Sequence, residues 1–197
     1  MKLPYDQIYF LKGHLYLPLN TVRLAAGVFL SASANSIEQH LDLSPDVCYG
    51  VLDRYVGGYR INRDGLCAAR VHGDSMIFRG VLDGDIAIIQ RSDFDYLESG
   101  KVVVVEKVGE EEGLGAWALK KLVIERPRSS SLNEYGDEID WEPPVIVLRS
   151  YNPRVSPLRL DPSGRYLVRG IFLRALRRHD AKLVDSDMVH RAATGEE

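Results

Sequence analysis

Cysteine is scarce in this sequence, which contains only Cys48 and Cys67 among its 197 residues. Small secreted domains that depend on disulfides carry several cysteine pairs, so two cysteines do not indicate a protein of that class. The first residues also lack the basic start, apolar stretch and small-residue cleavage site of a secretory leader. We therefore expect a protein of the reducing cytoplasm.

Long apolar runs and a strong net charge are absent as well. No apolar run approaches the roughly 18 residues that a membrane-spanning helix needs, so no membrane insertion is expected. The formal net charge is −3, and only the stretch from Arg174 to Lys182 is locally basic. This balance does not favour sequence-specific binding to DNA.

The histidines and cysteines do not follow a metal-binding pattern. The residues with suitable chemistry are Cys48, Cys67, His40 and His72, and none of them belongs to the close-spaced pair that is typical of a zinc site. Buried thiols and surface imidazoles are the simpler interpretation. We expect neither a metal ion nor a cofactor.

Hydrophobic residues make up 45% of the chain, enough to bury the core of one domain with appendages. Short runs rich in β-branched or aromatic residues, each bounded by turn-forming residues, predict a mainly β, largely antiparallel domain over residues 35–176. These runs lie at 66–72, 85–90, 101–108, 115–124, 145–150 and 165–172. The third and fourth are separated by a Gly- and Glu-rich loop, which predicts a hairpin.

The remaining segments are predicted to be appendages of this domain. Residues 1–34 are interpreted as a flexible arm, because their apolar residues show no sustained period before a stretch of small and polar residues. Ser36 is a candidate start for a short helix through Leu43. Residues 177–197 are interpreted as a tail, and residues 51–64 and 126–144 as inserted loops that decorate the surface more readily than they contact a partner.

Two motifs indicate a site for nucleophilic chemistry. Ser75 lies in Val-His-Gly-Asp-Ser-Met, and Lys120 lies in the apolar run Ala-Leu-Lys-Lys-Leu on the return strand of the predicted hairpin. A serine peptidase that uses lysine as its base needs such a serine beside small residues and a lysine within an apolar strand. Because side chains alternate across a strand, only one of Lys120 and Lys121 can enter the core.

Each motif is common on its own, and the turn Asp83-Gly84-Asp85 is interpreted as structural. Together with the segment from Val22 to Phe29, which contains Ala26-Gly27, they occur in an order that resembles the LexA and UmuD family of self-cleaving serine peptidases. Further short matches extend from Ile37 to Phe172 and include Leu-Arg-Ser-Tyr-Asn-Pro at 148–153.

The resemblance implies a role for each of these residues. Ser75 would be the nucleophile, Lys120 rather than Lys121 the base, and the Ala26–Gly27 bond the substrate. The backbone N–H groups of Asp74 and Ser75 would stabilise the oxyanion. A lysine acts as a base only when it is neutral, so burial must lower the pKa of Lys120 from its ordinary value.

The resemblance also implies a biological setting. Only 26 residues precede Gly27, too few for a helix-turn-helix domain, so we expect an organisation like that of UmuD. That implies a homodimer in the DNA-damage response, whose self-cleavage is stimulated by a RecA filament on single-stranded DNA and whose trimmed form assists an error-prone polymerase.

Two alternatives belong to other functional classes. The first is a LexA-like or phage-repressor-like component that lacks its own DNA-binding domain and acts through a separate DNA-binding regulator. The second is an inactive module that keeps the fold for dimerisation.

Overall fold

The computed structural model describes residues 8–26, 30–31, 39–47, 55–56, 59–60, 65–91, 98–107, 116–125, 144–160 and 166–195. Within them, the fold is mainly β, as the sequence predicted. A 3₁₀ helix covers Ile77–Arg79, and a C-terminal α-helix covers Ser186–Thr194. The strands are β1 Tyr9–Leu11, β2 His14–Ala26, β3 Leu30–Ser31, β4 Gln39–Leu43, β5 Tyr55–Val56, β6 Tyr59–Arg60, β7 Leu66–Gly73, β8 Ile86–Arg91, β9 Val102–Lys107, β10 Ala116–Glu125, β11 Val145–Arg149, β12 Leu158–Arg159, β13 Tyr166–Leu176 and β14 Lys182–Asp185.

One mixed sheet includes twelve of these strands. Its main order is β12, β11, β10, β9, β13, β8, β7, β2, β4, β14, while β1 pairs with β2 and β3 pairs with β10. The neighbours along this order are antiparallel except that β2 runs parallel to β7, and β2 also makes a parallel contact with β10. Strands β5 and β6 form a separate antiparallel pair within the predicted insertion at 51–64. The other predicted insertion lies outside the described residues, apart from position 144.

Strand β2 corrects the prediction that residues 1–34 form a flexible arm. Leu15, Leu17 and Leu19 are buried in one core cluster, which also contains Leu41 and Leu43 of β4. These leucines alternate with other residues, so they lie on one face of an extended strand. The arm interpretation missed this alternation, and much of the predicted arm belongs to the sheet.

A buried leucine in β2 tests whether this strand is integral to the fold. We expect Leu17→Ala to lower the free energy of unfolding by about 2–5 kcal/mol, because it leaves a cavity in the core. Met188→Ala is the control, since Met188 is 66% exposed and its truncation should change that free energy by less than about 0.5 kcal/mol. Urea denaturation measures both values, and equal small changes would contradict the placement of β2 in the core.

Strand β4 stands where the sequence suggested a helix from Ser36 to Leu43. Leu41 and Leu43 enter the core, whereas His40 and Asp42 lie on the other face of the strand. This period of two is that of a strand. Residues 36–38 lie outside the described part of the chain.

The C-terminal segment is folded rather than a loose tail. Strand β14 pairs with β4, and the helix that follows buries Ser186 and Val189. Asp185 caps the helix by accepting a hydrogen bond of 2.8 Å from the N–H of Asp187. His40 was predicted to be a surface imidazole, but it is fully buried and its Nδ1 lies 2.9 Å from the Ser186 Oγ.

Candidate active site

Ser75 lies in the turn that joins β7 to the 3₁₀ helix. Gly73, the last residue of β7, has a φ of 89°, a left-handed conformation that favours glycine. Its N–H donates a hydrogen bond of 2.7 Å to the Asp83 Oδ1, and the N–H of Ile77 donates one of 3.1 Å to the Asp74 carbonyl. These bonds fix the turn on both sides of Ser75.

The Ser75 side chain is buried, and its Oγ makes no hydrogen bond with any residue that the structure describes. Buried hydroxyls are normally hydrogen-bonded, and exceptions often have a functional reason. Met76 packs beside it into a core cluster with Val71, Val81 and Leu119. The hydroxyl is therefore held in place by its backbone and its neighbour, and within the described part of the chain it has no hydrogen-bond partner.

Asp83 and Asp85 make hydrogen bonds that fix this turn, in agreement with their interpretation as structural residues. The N–H of Gly84 donates to the Val71 carbonyl and the N–H of Val71 donates to the Asp85 carbonyl, both at 2.8 Å. The Asp85 Oδ2 accepts hydrogen bonds from the N–H of Leu82 at 2.9 Å and from the Arg177 Nη1 at 2.6 Å. Each carboxylate is thus occupied in fixing the chain behind Ser75.

Lys120 is placed by the hairpin that the sequence predicted. Strands β9 and β10 are antiparallel, with Lys120 opposite Val103. Lys120 is 0% exposed, whereas Lys121 is partly exposed and its Nζ lies 5.5 Å from the centre of the Tyr151 ring. Burial lowers the pKa of Lys120 from its ordinary value, because desolvation disfavours the charged ammonium. The strand therefore directs Lys120 inward and favours its neutral form.

A segment that sequence reasoning did not assign to the site contacts both groups. It follows β11 and contains Ser150, Tyr151 and Asn152. The Lys120 Nζ donates a hydrogen bond of 2.8 Å to the Ser150 Oγ. The N–H of Asn152 donates to the Ser75 carbonyl at 2.8 Å. The only sequence signal for this segment was the short match Ser-Tyr-Asn-Pro at the end of a predicted strand.

Asn152 also fixes the residue before the serine. Its Nδ2 donates a hydrogen bond of 3.1 Å to the Asp74 Oδ2, and its own Oδ1 accepts one of 3.0 Å from the N–H of Arg154. Asp74 and Ser75 are the residues whose backbone N–H groups were predicted to stabilise an oxyanion. That role stays a prediction.

The end of β2 pairs with β7, which leads into the turn of the serine, and with β10, which carries the lysine. Ala26 pairs with Gly73, two residues before Ser75. Ala25 pairs with Ala118, two residues before Lys120. Gly27, the other side of the predicted cleavage site, lies outside the described residues. The backbone register therefore brings an extended segment that ends at Ala26 to both strands.

The arrangement has the parts of nucleophilic catalysis, but in this state they are not joined. The Ser75 Oγ is not hydrogen-bonded to the Lys120 amine. Such bonds between nucleophile and base are often formed only in the reacting complex.

Among the described residues, no group of His, Cys, Asp and Glu side chains could hold a metal ion. No helix in this part of the chain is long and apolar enough to cross a membrane.

The mainly β fold buries Ser75 after β7 and Lys120 within β10. A family model described as Peptidase S24-like matches residues 18–126, a range that includes Ala26, Ser75 and Lys120. The chain therefore belongs to the S24-like peptidase family, the serine peptidase family of LexA and UmuD. A search of curated proteins found no match.

Proposed function

We propose that the protein is a self-cleaving serine endopeptidase that hydrolyses its own Ala26–Gly27 bond with a dyad of Ser75 and Lys120. The pairing of the end of β2 with β7 and with β10 carries this proposal, because Ala26 is opposite Gly73 and Ala25 is opposite Ala118. Extended substrates bind peptidases and other β-rich receptors by adding a strand, and the main-chain pairing sets their register. Here the added strand belongs to the same chain.

The reaction proceeds in two halves. Neutral Lys120 takes the proton of the Ser75 hydroxyl as Oγ bonds to the Ala26 carbonyl carbon, and the backbone N–H groups of Asp74 and Ser75 stabilise the oxyanion. The bond to Gly27 breaks as Lys120 returns the proton to the departing nitrogen. Water, deprotonated by Lys120, then attacks the acyl carbon of the ester, the bond from that carbon to the Ser75 Oγ breaks, and Lys120 returns the proton to Oγ as the carboxylate of Ala26 is released.

Intramolecular delivery of the bond supports this choice of substrate. A segment already paired beside the nucleophile reacts at a high effective concentration and needs few other specificity contacts. Small residues at the cleaved bond also allow close approach of the chain to the catalytic serine.

The rate of cleavage is expected to rise with pH. Below its pKa Lys120 is an ammonium and cannot accept a proton, and burial moves that pKa down from its ordinary value. The rate should therefore increase as the amine loses its proton and level off once it is neutral. Gel-based rates between about pH 6 and about pH 10 measure this profile. Lys121→Ala should show the same profile, and a flat rate across this range would count against a titrating lysine base.

The biological setting that we propose is the one implied for UmuD-like proteins. In it, a cytoplasmic homodimer in the DNA-damage response cleaves itself when a RecA filament on single-stranded DNA favours the reactive state, and the product assists an error-prone polymerase. Membership of the S24-like family supports the peptidase fold that such proteins share, and the setting itself comes from the resemblance to UmuD. Intact mass spectra after incubation with RecA, nucleotide and single-stranded DNA, compared with spectra without RecA, test the trigger. Equal cleavage in both samples would contradict it.

An inactive dimerisation module is the second candidate. The missing hydrogen bond between the Ser75 Oγ and Lys120 favours it. A small serine-acylating probe separates the two candidates, because an active dyad reacts with the probe at Ser75 and an inactive module does not. Loss of labelling in Lys120→Ala would assign the reactivity to the dyad.

A further inference from the structure

Ser150 has a contact that the proposed mechanism does not use. The Lys120 Nζ donates a hydrogen bond of 2.8 Å to the Ser150 Oγ, although the two residues are 30 positions apart in the sequence. Lysine has four rotatable bonds, and its amine can rotate unless another group fixes it. A neutral amine has one lone pair, and that lone pair must face the proton that it removes. The direction of each N–H bond therefore decides whether Lys120 can act as a base.

We propose that Ser150 is the positioning residue of the dyad, which orients the amine of Lys120 toward Ser75. The Ser150 hydroxyl accepts a hydrogen bond from one N–H of the amine, and this limits the directions in which the lone pair of the amine can point. This inference rests on the proposed function, because it assigns Lys120 as the base. It adds a third side chain to the two that the sequence motifs indicated.

The connection from Ser150 to the nucleophile is short. Two residues further along, the N–H of Asn152 donates a hydrogen bond of 2.8 Å to the Ser75 carbonyl. The Asn152 Nδ2 holds the Asp74 carboxylate at 3.1 Å. A single segment of three residues thus fixes the base at one end and the turn of the nucleophile at the other. The relative position of the two groups depends on this segment.

The charged residues described beside Lys120 on the flanking elements each have a contact with another group. The residue opposite Lys120 on β9 is the apolar Val103. On β10 itself Lys121 faces the Tyr151 ring, and on β11 the Arg149 side chain pairs with Glu125. In the nucleophile turn, the Asp74 carboxylate accepts a hydrogen bond from Asn152. The Ser150 hydroxyl is therefore a neutral group placed directly at the amine.

Ser150→Ala is the first test, and it predicts two changes. Self-cleavage at high pH should slow by on the order of 100-fold, because misplacing a catalytic group by about 1 Å has an effect of that size. The inflection of the pH profile should also move to lower pH. The hydroxyl oxygen accepts a hydrogen bond from the ammonium, so its loss destabilises the charged form and lowers the pKa of Lys120 further.

Ser150→Thr is the matched variant, because it keeps the hydroxyl, and it should restore most of the rate and the position of the inflection. Arg149→Ala changes the exposed last residue of β11, just before this segment, and should leave both the rate and the inflection unchanged. Circular dichroism and the melting temperature show whether each variant is folded. If Ser150→Ala fails to fold, Ser150→Cys replaces it as a variant of similar size with a weaker acceptor.

Acylation of Ser75 by a small serine-reactive probe tests the positioning role of Ser150 separately from the proposed self-cleavage. If the wild-type protein reacts with the probe but does not cut Ala26–Gly27, the proposed function fails, and the positioning role is still measured by the rate of acylation. A normal rate and pH profile in Ser150→Ala would overturn the inference. So would a slow variant whose inflection does not move or whose rate Ser150→Thr does not restore, since that pattern describes a merely structural serine.

Discussion

Ser75→Ala and Lys120→Ala are each expected to abolish self-cleavage while the protein stays folded. In the proposed mechanism the serine supplies the nucleophilic oxygen and the lysine removes its proton, so loss of either removes the same step. Both side chains are completely buried, and in each variant a small apolar side chain replaces a group whose burial is costly. Gel electrophoresis of samples incubated at alkaline pH measures the remaining full-length chain.

Lys121→Ala is the matched control for the lysine variant. It removes the neighbouring lysine, whose amine contacts the Tyr151 ring instead of entering the core. This variant should cleave at nearly the wild-type rate. If Lys121→Ala is inactive and Lys120→Ala is active, the base has been assigned to the wrong face of β10.

Cleaved protein is expected to behave as one particle under native conditions. The fragment that ends at Ala26 contains the whole of β2, which pairs with β4 on one side and β7 on the other. Its three leucines, Leu15, Leu17 and Leu19, are buried in the core. Exposing each of these leucines to water costs about 1.5–3 kcal/mol. Dissociation of the fragment would expose all three, so it is energetically unfavourable.

Size-exclusion chromatography tests this retention. Residues 1–26 should co-elute with residues 27–197 in native buffer and separate from them only in denaturant. Leu17→Ala, which weakens the packing of β2, should increase the loss of the fragment. Complete separation of the wild-type fragments in native buffer would contradict the central position of β2 after cleavage.

Retention of the fragment has a consequence for regulation. Cleavage would not remove β2 from the sheet but would free the chain that begins at Gly27 from Ala26. A partner that responds to cleavage would then recognise the new chain ends or the segment after them, rather than a surface uncovered by loss of the first 26 residues. This distinguishes the proposed behaviour from simple trimming of a flexible arm.

The strands around the site could be predicted from the sequence because their signals are local. β-branched residues bounded by turns located β7, β8, β9 and β10 to within one or two residues. Alternation along β10 indicated that only one of Lys120 and Lys121 could be buried. The turns around Ser75 could also be predicted, because Gly73, Asp83 and Gly84 have conformations or hydrogen bonds that follow from their residue types.

The rest depended on pairing between distant segments. The alternating leucines of β2 lead into a stretch without a sustained period, which favoured the arm interpretation. Strand β2 pairs in parallel with β7, and the paired positions are about 50 residues apart in the sequence. Parallel pairs require a long connection, and no local pattern specifies it. The contact of Ser150 with Lys120, and that of Asn152 with Asp74, arise only once the sheet has formed.

Intact mass spectrometry of purified protein held at alkaline pH tests the central claim most directly. The wild-type protein should yield two products, residues 1–26 and residues 27–197, whose masses add up to that of the full chain plus one water. Ser75→Ala, treated in parallel, should give the full-length mass alone. A wild-type cut at any other bond, or the same products from Ser75→Ala, would contradict self-cleavage of Ala26–Gly27 by Ser75.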